Sequence, residues 1–154
     1  MARLMALDVG TVRIGVAVSA GLLAAPYTTL HVSQNEEQTF AAIQRLIEET
    51  GTESLVVGLP ISLDGQIHMQ GQRVQAFVER LRPYITIPLT FWDERLSTVE
   101  AQRLRAQREG GGQSERRRQT KRRRKEHEID ALAATVILQE YLDHLGRRTE
   151  EKQV

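Results

Sequence analysis

Residues 54–59, Ser-Leu-Val-Val-Gly-Leu, are apolar almost without a break and end at Pro60. A strand of that kind has no polar face to give to water, so it belongs inside a parallel sheet covered by helices on both sides. The surrounding sequence supplies such helices. From about Asn35 to Glu49, Phe40, Ile43, Leu46 and Ile47 recur at helical spacing, and Gly51 is a good stop. From about 70 to 82, Val74, Phe77, Val78 and Leu81 share one face. Pro83 and Pro88 bracket a turn, and residues 87–92, Ile-Pro-Leu-Thr-Phe-Trp, make a further strand.

The N-terminal part is patterned differently. Residues 3–9 and 12–19 form a β-hairpin that turns at Gly10-Thr11, with Gly15 marking a place of close backbone approach or twist. Residues 27–32, Tyr-Thr-Thr-Leu-His-Val, make a third strand at the sheet edge. Ser97 and Glu100 have capping-box spacing for a helix that runs to about Arg108 and stops at Gly110-Gly111-Gly112. A flexible basic loop is expected over 109–125. The last helix spans about Glu126 to Leu145, with Ile129, Leu132, Ala133, Val136, Ile137 and Leu142 as its apolar stripe, and 147–154 form a charged tail. The expected fold is a single α/β domain over 1–146. Its mixed five-stranded sheet has an initial antiparallel hairpin, parallel central strands and flanking helices.

The 154 residues include no cysteine, which excludes a disulfide scaffold and a cysteine-based zinc site. The N-terminus meets a charge and a turn too early for a signal peptide, and no apolar stretch is long enough to span a membrane. A cytoplasmic protein without membrane contact is expected. The net charge of +1 hides an asymmetry: residues 103–125 hold eleven of the 21 basic residues and two of the 20 acidic ones, so they carry +9 and the remainder −8. An acidic body with one basic segment suits a polyanionic partner held at one place, although a solvated linker would also produce such a run.

Asp8 stands where an apolar strand residue would pack more easily, and a buried carboxylate needs compensation. Asp93 and Glu94 follow the 87–92 strand, and Asp130 lies in the first turn of the last helix as patterned. A parallel α/β sheet brings strand ends and helix starts to one edge, where ligands collect. Carboxylates gathered there repel one another unless a divalent cation neutralises them. Mg²⁺ suits an oxygen-only site, and two ions about 4 Å apart would assist phosphodiester hydrolysis. Each acid also has a structural explanation. Asp8 could bind the amides of Gly10 or Thr11, while Asp93, Glu94 and Asp130 could be helix N-terminal acids. Strand alternation lets at most one of Asp93 and Glu94 face a site. His127, three residues before Asp130, could carry a proton or contact phosphate, or be an ordinary surface histidine. Arg95 could contact phosphate, and the loop from Pro60 to Gly71 offers Asp64, His68 and Gln70 for substrate.

The strings LDVGTVRIGVAVS, VVGLPISLDG, DERLSTVEA and KEHEIDALAATVILQEYL, in that order along nearly the whole chain, resemble the bacterial YqgF family, also called RuvX. The resemblance implies a ribonuclease H-like, RuvC-like fold and a metal-dependent nuclease using Mg²⁺ or Mn²⁺. The family's acids fall on Asp8, on Glu94 with Asp93 as the alternate, and on Asp130. The substrates it implies are four-way DNA junctions, precursor 16S ribosomal RNA, or both. The arginine-rich stretch with three consecutive glycines departs from the family pattern and leaves substrate preference open. Nucleic-acid contacts are expected from Arg95, Arg116, Arg117, Arg118, Lys121, Arg122, Arg123, Arg124 and Lys125. Junction resolution would require paired cuts and therefore a homodimer.

Two other functions compete. A non-catalytic nucleic-acid-binding assembly factor could keep the fold, but three uncompensated acids would weaken polyanion binding. An actin-like ATPase would use the hairpin for phosphate, but that fold needs two such domains, and 154 residues supply one.

Overall fold

The computed structural model describes residues 2–62, 64–94 and 119–152, with side chains described over 125–148 in the last segment. The elements are β1 (Leu4–Val9), β2 (Arg13–Ala20), β3 (Leu23–His31), α1 (Glu36–Thr50), β4 (Ser54–Leu59), α2 (Met69–Leu81), a 3-10 turn (Arg82–Tyr84), β5 (Leu89–Asp93) and α3 (Gln119–Lys152). The five strands form one sheet in the order β3-β2-β1-β4-β5. β1 is antiparallel to β2 and β2 to β3, whereas β1, β4 and β5 run parallel. The sheet is mixed in the manner that the hairpin and the apolar 54–59 run require.

Alternation along β1 divides the core into two layers. Met5 and Leu7 face α1 and α2, packing with Leu55 and Val57 of β4, Phe40 and Ile43 of α1 and Val78 and Leu81 of α2. Leu4 and Ala6 face α3, packing with Ala17, Val56 and Trp92 of the sheet and Ala134, Ile137 and Leu138 of the helix. Small residues on this second face let α3 lie close to the strands. Gly15 is the tightest point: a Cβ there would stand 1.9 Å from the Asp130 carbonyl oxygen. The close approach expected at Gly15 is therefore made by α3.

Polar contacts fix α3 across the sheet. The Gln139 side chain accepts from Ala24 N (2.9 Å) and donates to Leu22 O (3.1 Å), and the Thr29 hydroxyl donates to His127 O (2.7 Å). α1 starts at Asn35, whose side chain accepts from Glu37 N (3.1 Å), and stops at Gly51, which takes φ 67°.

Several bounds differ from the sequence expectation. β3 begins at Leu23 rather than 27, and so runs through Pro26, which pairs with Ala17. Proline reads as a break, but on an edge strand its missing N–H costs no ladder bond. α3 spans Gln119–Lys152, not 126–145. It takes in residues 119–125 of the expected basic loop and most of the charged tail. Its outer turns are built of arginine, lysine, glutamine and glutamate, which favour helix without an apolar stripe to reveal it. The helix expected over 97–108 and the glycine run lie outside the described residues.

Candidate active site

A cleft of about 720 Å³ opens at the carboxyl edge of β1 and β4, and its lining includes Asp8, Arg13, Gly58 and Glu94 together with Arg73 and Arg80 of α2. Asp8 is 5% exposed and Glu94 6%, so the two acids at the cleft wall are buried rather than solvated. Their placement follows from the strands. Asp8 is paired with Gly15 on β2, and the parallel register of β1 on β4 (Leu7 opposite Val57) puts Gly58 on its other flank. With no side chain at Gly58, Glu94 fits over it: an added Cβ would lie 2.7 Å from Glu94 Oε1. β5 sorts the adjacent acids. Asp93 is in register with Leu59, whose side chain belongs to the α1/α2 layer, while Trp92 belongs to the α3 layer. Glu94, one residue on, is the member of the pair at the cleft.

Of the two amides that a turn role for Asp8 could use, Gly10 N donates instead to Arg13 O (2.9 Å). Asp130 is fully buried in the interior of α3, well past its first turn, which removes the helix-start explanation. Its backbone covers Gly15, the cross-strand partner of Asp8. Its side chain is held by Arg13, with Nε donating to Asp130 Oδ2 at 2.6 Å, and Arg13 Nη1 lies 3.4 Å from Glu126. Breaking a buried pair of this kind by removing one partner costs about 3–5 kcal/mol.

A divalent cation can be tested against this arrangement. Mg²⁺ is commonly held by one or two carboxylates, with water and substrate phosphate completing its shell. Asp8 and Glu94, buried at one cleft wall, fit that donor set. A three-carboxylate centre does not fit as arranged: among the described residues no group of three or more histidine, aspartate or glutamate side chains is placed to hold an ion.

Other expected residues fall elsewhere. The His127 ring packs against His31 of β3 (centroids 4.7 Å apart), with its backbone tied to Thr29. Gln70 and Pro60 line the cleft. Asp64 instead faces His68 (3.4 Å), and the Gln66 amide, helped by His68, holds its carboxyl below the ordinary value. Lys125 is exposed, and Lys121, Arg122, Arg123 and Arg124 belong to the opening turns of α3. Arg95, Arg116, Arg117 and Arg118 lie outside the described residues. Among the described residues no helix is long and apolar enough to cross a membrane.

Sequence reasoning did not single out Arg13, Arg73 or Arg80. For Arg13 a signal was present: it alternates with Gly15 and Ala17, which places it on the α3 face of β2. For Arg73 and Arg80, seven residues apart on one helix, the shared face was legible but the cleft was not.

The sheet order and the flanking helices define a ribonuclease H-like fold. A family model described as RuvX: Holliday junction resolvase matches residues 2–144, and the chain belongs to that family. A relative from Thermoanaerobacter pseudethanolicus, named "Putative pre-16S rRNA nuclease", is 41% identical over 143 residues, covering 92% of this chain and 96% of that protein. A relative of the same name from Roseiflexus sp. is 42% identical over 143 residues, covering 92% and 94%. Among solved structures, T. thermophilus RuvC in complex with Holliday junction substrate matches with a TM-score of 0.51 at 12% identity, covering 89% of this chain and 92% of that one. At that identity the likeness supports the fold alone.

Proposed function

We propose that this nuclease is a divalent-cation-dependent endonuclease acting on the 5′ leader of precursor 16S ribosomal RNA. The observation that carries the reading is the pair of buried acids, Asp8 and Glu94, in the lining of a cleft that arginines also line. Buried carboxylates at a cleft wall concentrate negative potential where a cation can bind. Bound there, the cation would supply an activated water and neutralise charge on the phosphate. Asp8 and Glu94 would be its protein ligands, with Asp130 held beside them by Arg13 rather than placed in a ready three-ligand set. Arg73 and Arg80 hold the backbone of the bound strand against the acids. The basic residues of 116–125 recruit the substrate from solution. The choice of RNA rests on the names of relatives at 41% and 42% identity over most of the chain.

A four-way DNA junction is the second reading, favoured by the description of the matching family. It requires two sites cutting symmetrically, hence a dimer. The test offers a precursor leader RNA and a four-way junction to purified protein with Mn²⁺ or with EDTA. Cleavage is expected with Mn²⁺, on the leader, and to be abolished in Asp8→Asn without loss of binding. Cleavage that survives EDTA, or persists in Asp8→Asn, removes the cation or Asp8 from the reaction. Preferential paired cutting of the junction by a dimer would replace the RNA reading with the DNA one. Binding of both substrates without cleavage would leave a non-catalytic assembly factor.

A further inference from the structure

Three groups stand at the same corner of the sheet: the acids of the cleft, the third carboxylate on α3, and a guanidinium between them. Arg13 opens β2, on the strand face that carries Gly15 and Ala17 toward α3. Its side chain is 17% exposed, lines the cleft with Asp8 and Glu94, and donates from Nε to Asp130 Oδ2 at 2.6 Å. The same guanidinium reaches Glu126, one helical turn before Asp130. Arg13 is thus held by Asp130 and Glu126 while it lines the same cleft as Asp8 and Glu94.

We infer that Arg13 is an internal counter-ion of the carboxylate site, with which a divalent cation competes for Asp130 as it binds. The inference rests on the cation-dependent reading of the site. Two lines of physical chemistry lead to it. The first is occupancy. Asp130 Oδ2 is already engaged in a short charge-assisted hydrogen bond, so coordination through that oxygen requires the bond to break, and coordination through the buried Oδ1 would make the cation share one carboxylate with the guanidinium. The second is charge. A guanidinium on the cleft wall repels a divalent cation at the same wall, and at partly buried sites such a repulsion is large. Arg13 therefore makes the cation-free protein tolerable, since it spares α3 a buried lone carboxylate, and weakens cation binding by the same contact. Arg13 is a positioning residue: it sets where Asp130 points and acts through it.

The sign of the effect separates this role from a purely structural one. A latch that merely pins β2 to α3 would, on removal, loosen Asp130 and weaken cation binding. A counter-ion would, on removal, strengthen it. Mn²⁺ binding is measured by the loss of the free-ion paramagnetic resonance signal, on folded protein, for wild type, Asp8→Asn, Arg13→Gln and Arg13→Lys. Arg13→Gln should bind Mn²⁺ roughly tenfold more tightly than wild type. Arg13→Lys, which keeps the charge, should stay close to wild type. In chelator Arg13→Gln should melt below wild type, and Mn²⁺ should raise its melting temperature by more than it raises that of wild type. Arg13→Gln binding Mn²⁺ no better than wild type, while Asp8→Asn loses it, overturns the inference and leaves the cation site standing. No saturable Mn²⁺ binding by wild type, or binding unaffected by Asp8→Asn, overturns the cation-dependent reading and the inference with it. A mutation-free measurement covers the case in which Arg13→Gln does not fold. The Arg13 Nε–Hε resonance of the wild-type protein should move on saturation with Mg²⁺. Saturation without movement of that resonance overturns the inference.

Discussion

At Gly58 an added methyl group would stand 2.7 Å from Glu94 Oε1 and 2.7 Å from Ile137 Cδ1. Both obstacles are ends of flexible side chains, so the fold can yield, but Glu94 yields by turning away from the cleft. Gly58→Ala should cost about 1–3 kcal/mol of stability, as overpacking of a core edge does. Cleavage should fall by about a hundredfold, because a displacement of about 1 Å in a positioned group has that effect. Urea unfolding and single-turnover cleavage would measure the two, and undiminished cleavage would remove Glu94 from the site. No comparable adjustment exists at Gly15, where the obstacle is the Asp130 carbonyl oxygen at 1.9 Å and the whole helix would have to move. At this scale the sequence disclosed the acids and concealed Arg13, the partner of Asp130. Asp8 is conspicuous because charge in an apolar strand is costly, whereas the choice of Glu94 over Asp93 came from the family resemblance. The Arg13–Asp130 contact spans 117 residues, and no local pattern encodes it.

α2, which packs on the opposite layer of the sheet from Asp8, contributes residues to the lining of the same cleft. Val74, Phe77, Val78 and Leu81 anchor it on the sheet, which directs Arg73 and Arg80 to the cleft wall. Arg80 is paired with Glu36 of α1, while for Arg73 the described residues show no ion pair, only a weak contact with Met69 Sδ (3.5 Å). Arg73 is thus the better placed to exchange water for a phosphate. Arg73→Ala, made in the Asp8→Asn background so that substrate stays intact, should weaken nucleic-acid binding at low salt. The slope of log affinity against log salt should lose about 0.7–0.9, the value of one phosphate contact. An unchanged slope would mean that the strand does not pass along α2. Most of this element geometry was readable. The apolar 54–59 run, the helical stripes and the glycine stop each impose one local structure with little competition. What escaped is physically specific. Pro26 disguised the start of β3 because its cost depends on whether the strand has an outer neighbour, which only the finished sheet decides. The ends of α3 carry no apolar stripe, so periodicity could not find them.

Over the whole molecule, charge is segregated: residues 103–125 carry +9 and the rest −8. Such an arrangement separates capture from cutting. On the proposed function, the net-negative body would repel a polyanion on average, so encounter would be steered by the basic segment while the reaction would belong to the acids. Binding energy supplied equally to substrate and transition state lowers KM without raising kcat. Replacing Arg116, Arg117, Arg118, Lys121, Arg122, Arg123, Arg124 and Lys125 by glutamine removes eight positive charges at residues remote in sequence from Asp8 and Glu94. If half of them meet phosphates, the salt slope should fall by about 3–4, which at moderate salt is a loss of several orders of magnitude in affinity. kcat at saturating substrate should stay within about threefold of wild type, because the groups at the reacting phosphate are untouched. The added cost of high salt should disappear along with the charges, so the variant and the wild type should converge in kcat/KM as salt rises. Steady-state cleavage of one substrate across a salt series measures all three quantities. A collapse of kcat with KM unchanged would place the basic segment at the reacting phosphate, and the division of labour between segment and cleft would then be wrong.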